Sequence, residues 1–241
     1  MPGPRMIVPM TAEAAVAPLA NPGLYRLLAW LSPNFPVGAF SYSHGLEAAF
    51  ADGAVGDAAS LQTWIAALVA HGIGRIDADI LVAAYRAAEG GQLAALDAAN
   101  KRGLAFRATA ELALEATQQG EAFLATCRAA WPEPFLAGWS PDSVCHSAVF
   151  GAAAARAGIA LGDALLGYLQ NFAANMVSAG LRLGVIGQTG GQRILAALEP
   201  VVTDAATAAL TRDPADFGAA TFAADLASMA HEEQYMRLFR S

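Results

Sequence analysis

The chain has 241 residues, 56% of them hydrophobic, and 59 are Ala, the best helix former and a poor strand former, so composition predicts one all-α domain before any pattern is read. Only 15% of the residues are charged and the net charge is −7, against about 25% charged in an ordinary soluble domain; a chain so thinly charged is expected to cover surface with a partner or a second copy of itself. The basic residues are 13 Arg and the single Lys101, which excludes the clustered positive face that nucleic-acid binding needs.

In residues 1–23 the prolines Pro2, Pro4, Pro9, Pro18 and Pro22 break any helix and Asn21-Pro22-Gly23 signals a turn. This stretch reads as a flexible N-terminal arm before a domain over 24–241. Its start has no apolar core of a secretory signal, and two cysteines, Cys127 and Cys145, are too few for a disulfide framework, so a reducing cytoplasm is expected. A short apolar helix runs from Leu24 to Leu31 and ends at Ser32-Pro33. A loop rich in Gly, Pro, Ser and aromatics follows, and a helix begins near Gly45. The longest uncharged run, Leu27 to Leu46, holds Pro33 and Pro36 and cannot be a spanning helix. From Leu61, the spacing of Leu61, Trp64, Ile65, Leu68 and Val69 is helical. Further helices are predicted at about 75–89, 91–101, 104–130, 143–157, 161–183, 189–210 and 215–236. Pro132, Pro134 and Pro141 mark a loop, and Gly158, Gly187 and Pro214 mark other breaks. The expected architecture is a single-domain bundle of about eight to ten helices.

Much familiar chemistry is missing. No Gly-rich loop ends in Lys-Ser or Lys-Thr, no G-x-G-x-x-G stands between a strand and a helix, and no G-x-S-x-G is present. His231-Glu232-Glu233-Gln234-Tyr235 opens like a zinc-protease motif but has Tyr where the second His is needed. Cys145 and His146 are adjacent, so on a helix they point about 100° apart and chelate poorly. Asp77 and Asp79 read as a solvated helix start. Neither a catalytic constellation nor a stable metal site is expected.

Three features stand out. Asn171, Asn175, Ser178 and Arg182, spaced four, three and four apart, share one face of an otherwise apolar helix. That face looks at water, or forms a buried hydrogen-bonded network, or lines a wet interior passage. The next segment, Gly187-Gln188-Thr189-Gly190-Gly191-Gln192-Arg193, presents Gln188 and Gln192 four apart, or is an ordinary helix–helix turn. The tail from Met229 to Ser241 carries His231, Tyr235, Met236, Arg237, Phe239 and Arg240, residue types enriched at interface centres. It docks on a partner or folds back on its own core.

These places carry a resemblance. Ser32-Pro33-x-Phe35-Pro36-Val37-Gly38-Ala39-Phe40-Ser41-Tyr42-Ser43-x-Gly45-Leu46-Glu47, then His146-x-Ala148-Val149-Phe150-Gly151, Asn175-x-Val177-Ser178-Ala179-x-Leu181-Arg182-Leu183, Gly187-Gln188-Thr189-x-Gly191-Gln192 and the tail from Ser228 to Ser241 together resemble the UreF family of urease accessory proteins. The chain departs from the family's common pattern at Phe40, Ala113 and Val185. The resemblance implies an all-α cytoplasmic chaperone without enzymatic activity. It implies that the chain binds a UreD/UreH-like accessory protein and a UreG-like GTPase, and that the complex docks on apo-urease. GTP is then bound by the partner, nickel passes through the complex without a stably bound cofactor in this chain, and the protein is a homodimer. Phe40, Tyr42, Asn175, Ser178, Arg182, Gln188, Gln192, His231, Tyr235, Arg237, Phe239 and Arg240 are the expected partner-binding or passage-lining residues. Against this stand a helical enzyme using His44 or His146 as acid and base, and a peripheral membrane protein, whose interfacial helix would need Lys and Arg on its polar face.

Overall fold

The computed structural model describes residues 23–241; the expected flexible arm lies, except for Gly23, outside the described residues. Among these the fold is all helical: α1 Leu24–Trp30, α2 Leu46–Ala51, α3 Ala58–His71, α4 Ile73–Glu89, α5 Leu93–Ala105, α6 Ala110–Ala130, α7 Pro134–Ala137, α8 His146–Arg156, α9 Leu161–Arg182, α10 Gln188–Thr211 and α11 Phe222–Glu232, with 3-10 turns at Ala39–Ser41 and Pro214–Asp216. Ten helices of six residues or more and the four-residue α7 make the bundle that the composition predicts.

Local signals place the helix starts. Asp57 caps α3 by accepting from Ser60 N at 2.8 Å, while Ser60 Oγ accepts from Asp57 N at 3.1 Å, a reciprocal capping box. Thr109 caps α6 through Leu112 N at 3.2 Å, and Glu133 caps α7, with Pro134 at its first position.

The abundant alanine brings helices close together. At the centre α4 packs along α8, and Ile80, Leu81 and Ala84 of the one and Ala148, Val149 and Ala152 of the other are buried. A Cβ on Gly151 would stand 2.4 Å from the Leu81 carbonyl oxygen, so only hydrogen fits there. Next to this pair α9, α10 and α3 pack on one another, α5 and α6 flank it, and α11 rests on α2. An aromatic seam of Trp30, Phe35, Phe123, Trp131 and Phe150, with ring centroids 5.2 to 6.2 Å apart, ties α1 and its loop to α6 and α8.

Several expectations need correction. The break expected between 101 and 104 lies further along, because α5 runs on to Ala105 and α6 starts only at the Thr109 cap; between them Arg107 turns inward to reach Asp77 at 2.6 Å. The last helix starts at Phe222, because Arg75 Nη2 donates to Asp216 O and Arg102 Nη2 donates to Pro214 O, which holds the preceding segment as a connector. Asp77 and Asp79 are not a solvated start: Asp77 is buried against Arg107 and Asp79 pairs with Arg212. Among the described residues, α10 is the helix long and apolar enough to cross a membrane, with a mean hydropathy of 1.4 in its best window. It packs Ile194, Leu198, Val202 and Ala206 on the bundle and exposes Arg193, Glu199 and Asp204.

Candidate functional site

The polar groups buried by this fold gather where the tail returns across α2 and the start of α6. Arg240 N donates to Ser41 O at 2.8 Å and Ser43 N to Ser241 O at 2.9 Å, a two-stranded pairing of loop and tail. Three glutamates hold it. Glu47, in the first turn of α2, accepts from Leu238 N at 2.7 Å and Phe239 N at 2.9 Å and faces His231 Nε2 at 3.2 Å. Glu111 faces His231 Nδ1 at 2.6 Å and accepts from Arg237. Glu115, one turn further, accepts from Ser241 Oγ at 2.9 Å and from Gln119 Nε2 at 2.7 Å and faces His44 Nε2 at 3.0 Å. His231 is wholly enclosed, with one ring nitrogen on each carboxylate. Buried carboxylates persist only when paired in this way. Gly45 makes the approach possible: its φ is +75°, and a Cβ there would lie 2.7 Å from Ser228 N of α11.

The same return builds a sandwich on the charged end of the polar stripe. The Arg182 guanidinium carbon sits 3.7 Å from the Phe40 ring centroid and 4.1 Å from that of Phe239, and Nε donates to Ser178 O at 3.4 Å. Burial lowers the Arg182 pKa, and the two ring faces offset part of that desolvation. Arg240 lies 5.9 Å from the Tyr42 ring, and Tyr42 donates to Gln118 Oε1. Residues from the loop, α9 and the tail therefore meet at one place.

Below the sandwich, Asn171 and Asn175 line a polar cleft with Tyr42, His44, Glu115, His146 and Tyr168. Its water-accessible space of about 50 Å³ exceeds what one water needs. Its floor is the Asp77–Arg107 pair. Burial pushes the Asp77 carboxyl up, but the Arg107 guanidinium at 2.6 Å holds it below the usual carboxylate range. Arg107 also donates to Gly103 O and Cys145 Sγ. The Tyr168 hydroxyl, raised by burial and by the neighbouring Asp77 charge, donates to Asp77 Oδ2 at 3.1 Å. Burial pulls the His146 pKa down to about 4, so its ring is neutral near pH 7. His44 has φ of +52°, and its Nδ1 is buried without a partner. Among the described residues, no group of three or more His, Cys, Asp or Glu is arranged to hold a metal ion.

Of the residues singled out from sequence, Phe40, Tyr42, Asn175, Ser178, Arg182, Phe239 and Arg240 lie at the sandwich and the cleft below it, while His231 and Arg237 lie in the glutamate cluster. Gln188 and Gln192 are exposed on the first turns of α10. The tail divides: His231, Phe239 and Ser241 are buried, whereas Tyr235 is fully exposed and Met236 and Leu238 largely so. Sequence reasoning missed Glu47, Glu111, Glu115 and Arg107 as site residues. Glu111, Glu115 and Gln119 recur every four residues along α6, and that polar stripe was the available signal.

The UreF family model matches residues 55–199. A urease accessory protein UreF from Bradyrhizobium sp. strain BTAi1 is 46% identical over 235 residues, covering 95% of this chain and 96% of the relative. One from Rhodopseudomonas palustris strain HaA2 is 46% identical over 235 residues, covering 95% and 99%. One from Granulibacter bethesdensis is 46% identical over 231 residues, covering 93% and 98%. The model match covers more than half of the chain and these relatives align with more than nine-tenths of it, and the chain belongs to the UreF family of urease accessory proteins.

Proposed function

We propose that this protein is a non-enzymatic assembly chaperone of urease maturation in the cytoplasm. It binds a UreD/UreH-like accessory protein and a UreG-like GTPase, and the complex docks on apo-urease. GTP hydrolysis on the GTPase drives delivery of nickel, which is cargo rather than a resident cofactor. In isolation the protein is a homodimer. The observation that carries this reading is the division of the tail. Phe239, Ser241 and the enclosed His231 anchor it, so Tyr235, Met236 and Leu238 stand out on a held platform next to α11, which itself exposes Phe222, Leu226 and Met229. Exposed aromatic and Met side chains on a fixed backbone form a docking surface at low entropic cost. The cleft below, with amide, imidazole and carboxylate groups around water-accessible space, offers oxygen and nitrogen donors of the kind a divalent cation takes.

The test is co-purification with a UreD/UreH-like partner. The variant Tyr235→Ser with Met236→Ser and Leu238→Ser is expected to lose the partner and keep its melting temperature. Phe239→Ala removes an anchor and is expected to lower the melting temperature by several degrees. Retention of the partner by the triple variant would remove the tail from the interface. Measurable GTP hydrolysis by the purified chain would remove the non-enzyme reading.

A further inference from the structure

On another part of the molecule, α4, α5 and the end of α10 enclose a cleft of about 380 Å³, within the size range of small-molecule sites. Its walls are apolar: Val82 and Ala83 of α4, Ala95 and Ala98 of α5, and Phe217 of the connector. Its rim is not. Arg86, Arg102 and Arg212 line it together with Asp79 and Asp213, so three guanidinium groups face two carboxylates and one positive charge is left over. This concentration of cations stands out in a chain of net charge −7.

The arginines have a structural task, but it does not use them up. Arg86 Nη2 donates to Leu210 O at 2.9 Å and Arg102 Nη2 to Pro214 O at 3.3 Å, closing the end of α10. The Arg102 guanidinium lies flat on Phe217, 3.9 Å from the ring centroid, which fixes its plane. Arg212 is held by Asp79. One backbone bond each leaves Arg86 and Arg102 with further N–H groups for an acceptor, and a guanidinium held in a fixed plane is preset for a carboxylate. Tying down a helix end does not require an alanine-floored opening beside the ties.

We propose that this cleft binds a small monocarboxylate with an apolar body. The carboxylate takes the free N–H groups of Arg86 and Arg102 and neutralises the surplus charge, and the apolar body lies along Val82, Ala83, Ala98 and Phe217. Tight walls of alanine admit a slim aliphatic chain. The proposal is independent of the role in urease maturation and concerns a separate face of the bundle.

Calorimetric titration of the full chain with sodium octanoate tests it, with acetate supplying the head alone and octylamine the body with the opposite charge. Octanoate is expected to bind one-to-one with a Kd below about 1 mM, and acetate and octylamine at least about tenfold more weakly. Arg86→Gln with Arg102→Gln is expected to weaken octanoate at least about tenfold. Because those arginines also hold the end of α10, a second variant, Ala98→Phe, fills the opening from an exposed position and is expected to abolish binding with the melting temperature retained. Absence of saturable octanoate binding, octylamine binding as tightly as octanoate, or wild-type affinity in Ala98→Phe would each overturn the proposal.

Discussion

His146 is enclosed among the rings of Phe123, Phe150 and Tyr168, with centroids 5.4 to 6.3 Å away, and burial pulls its pKa down to about 4. An unfolded chain takes up this proton through about pH 6.5. The folded chain therefore binds fewer protons in between: this contribution to stability is complete above pH 6.5 and is lost as the pH falls towards 4. The full gap is about 3 kcal/mol. His146→Phe keeps the ring packing and removes the titration, so its melting temperature is expected to fall less than the wild type's between pH 6.5 and 4.5; parallel curves would assign the acid limb to other groups. At this scale the sequence was only partly readable. Arg182 stood out as the one charge on its stripe, and it lies half-buried between the Phe40 and Phe239 rings. Asp77 did not, because its partner Arg107 is thirty residues away, and helical periodicity carries no information about pairing between helices.

Gly151 governs the contact between α4 and α8. With a Cβ 2.4 Å from the Leu81 carbonyl oxygen, and backbone unable to swing aside as a side chain does, Gly151→Ala must push the two helices apart. The expected cost is about 1 to 3 kcal/mol, read as a lower urea midpoint with unchanged helical circular dichroism; an unchanged midpoint would mean that the pair is looser than its geometry. Elements built on a local pattern were legible. Leu61, Trp64, Ile65, Leu68 and Val69 mark α3, and the expected 161–183 helix differs from α9 by one residue at its end. Elements bounded by tertiary contacts were not. The break between α5 and α6 serves the Arg107–Asp77 pair, and the late start of α11 follows from the Arg75 and Arg102 ties to the connector. The tail posed two alternatives to sequence reasoning; its fold-back depends on Glu47, Glu111 and Glu115, which lie far from it in the chain.

For the molecule as a whole, the last residues of the tail, Phe239 and Ser241, are buried with the core, although a chain end by its position alone is where fraying concentrates. Hydrogen exchange distinguishes the two descriptions. The amides of Leu238 and Phe239, which donate to Glu47, and of Arg240, which donates to Ser41, are expected to exchange far more slowly than those of Tyr235 and Met236. Glu47→Gln is expected to speed exchange at 238–240 while leaving α4 and α8 protected. Uniformly fast exchange over 233–241 would place the closed tail outside the solution ensemble. The pairing of Ser43 with Ser241 joins residues 198 apart in sequence, so the bond that completes the bundle closes nearly the longest loop the chain can make. Local helices form in about microseconds, whereas a contact of such separation waits until the intervening chain is already compact. Refolding is thus expected to run on two clocks: a fast one for the alanine-rich layers and a slower one for the return of the tail. During the interval between them the three glutamates stand open to water with their histidines and serines still unmatched.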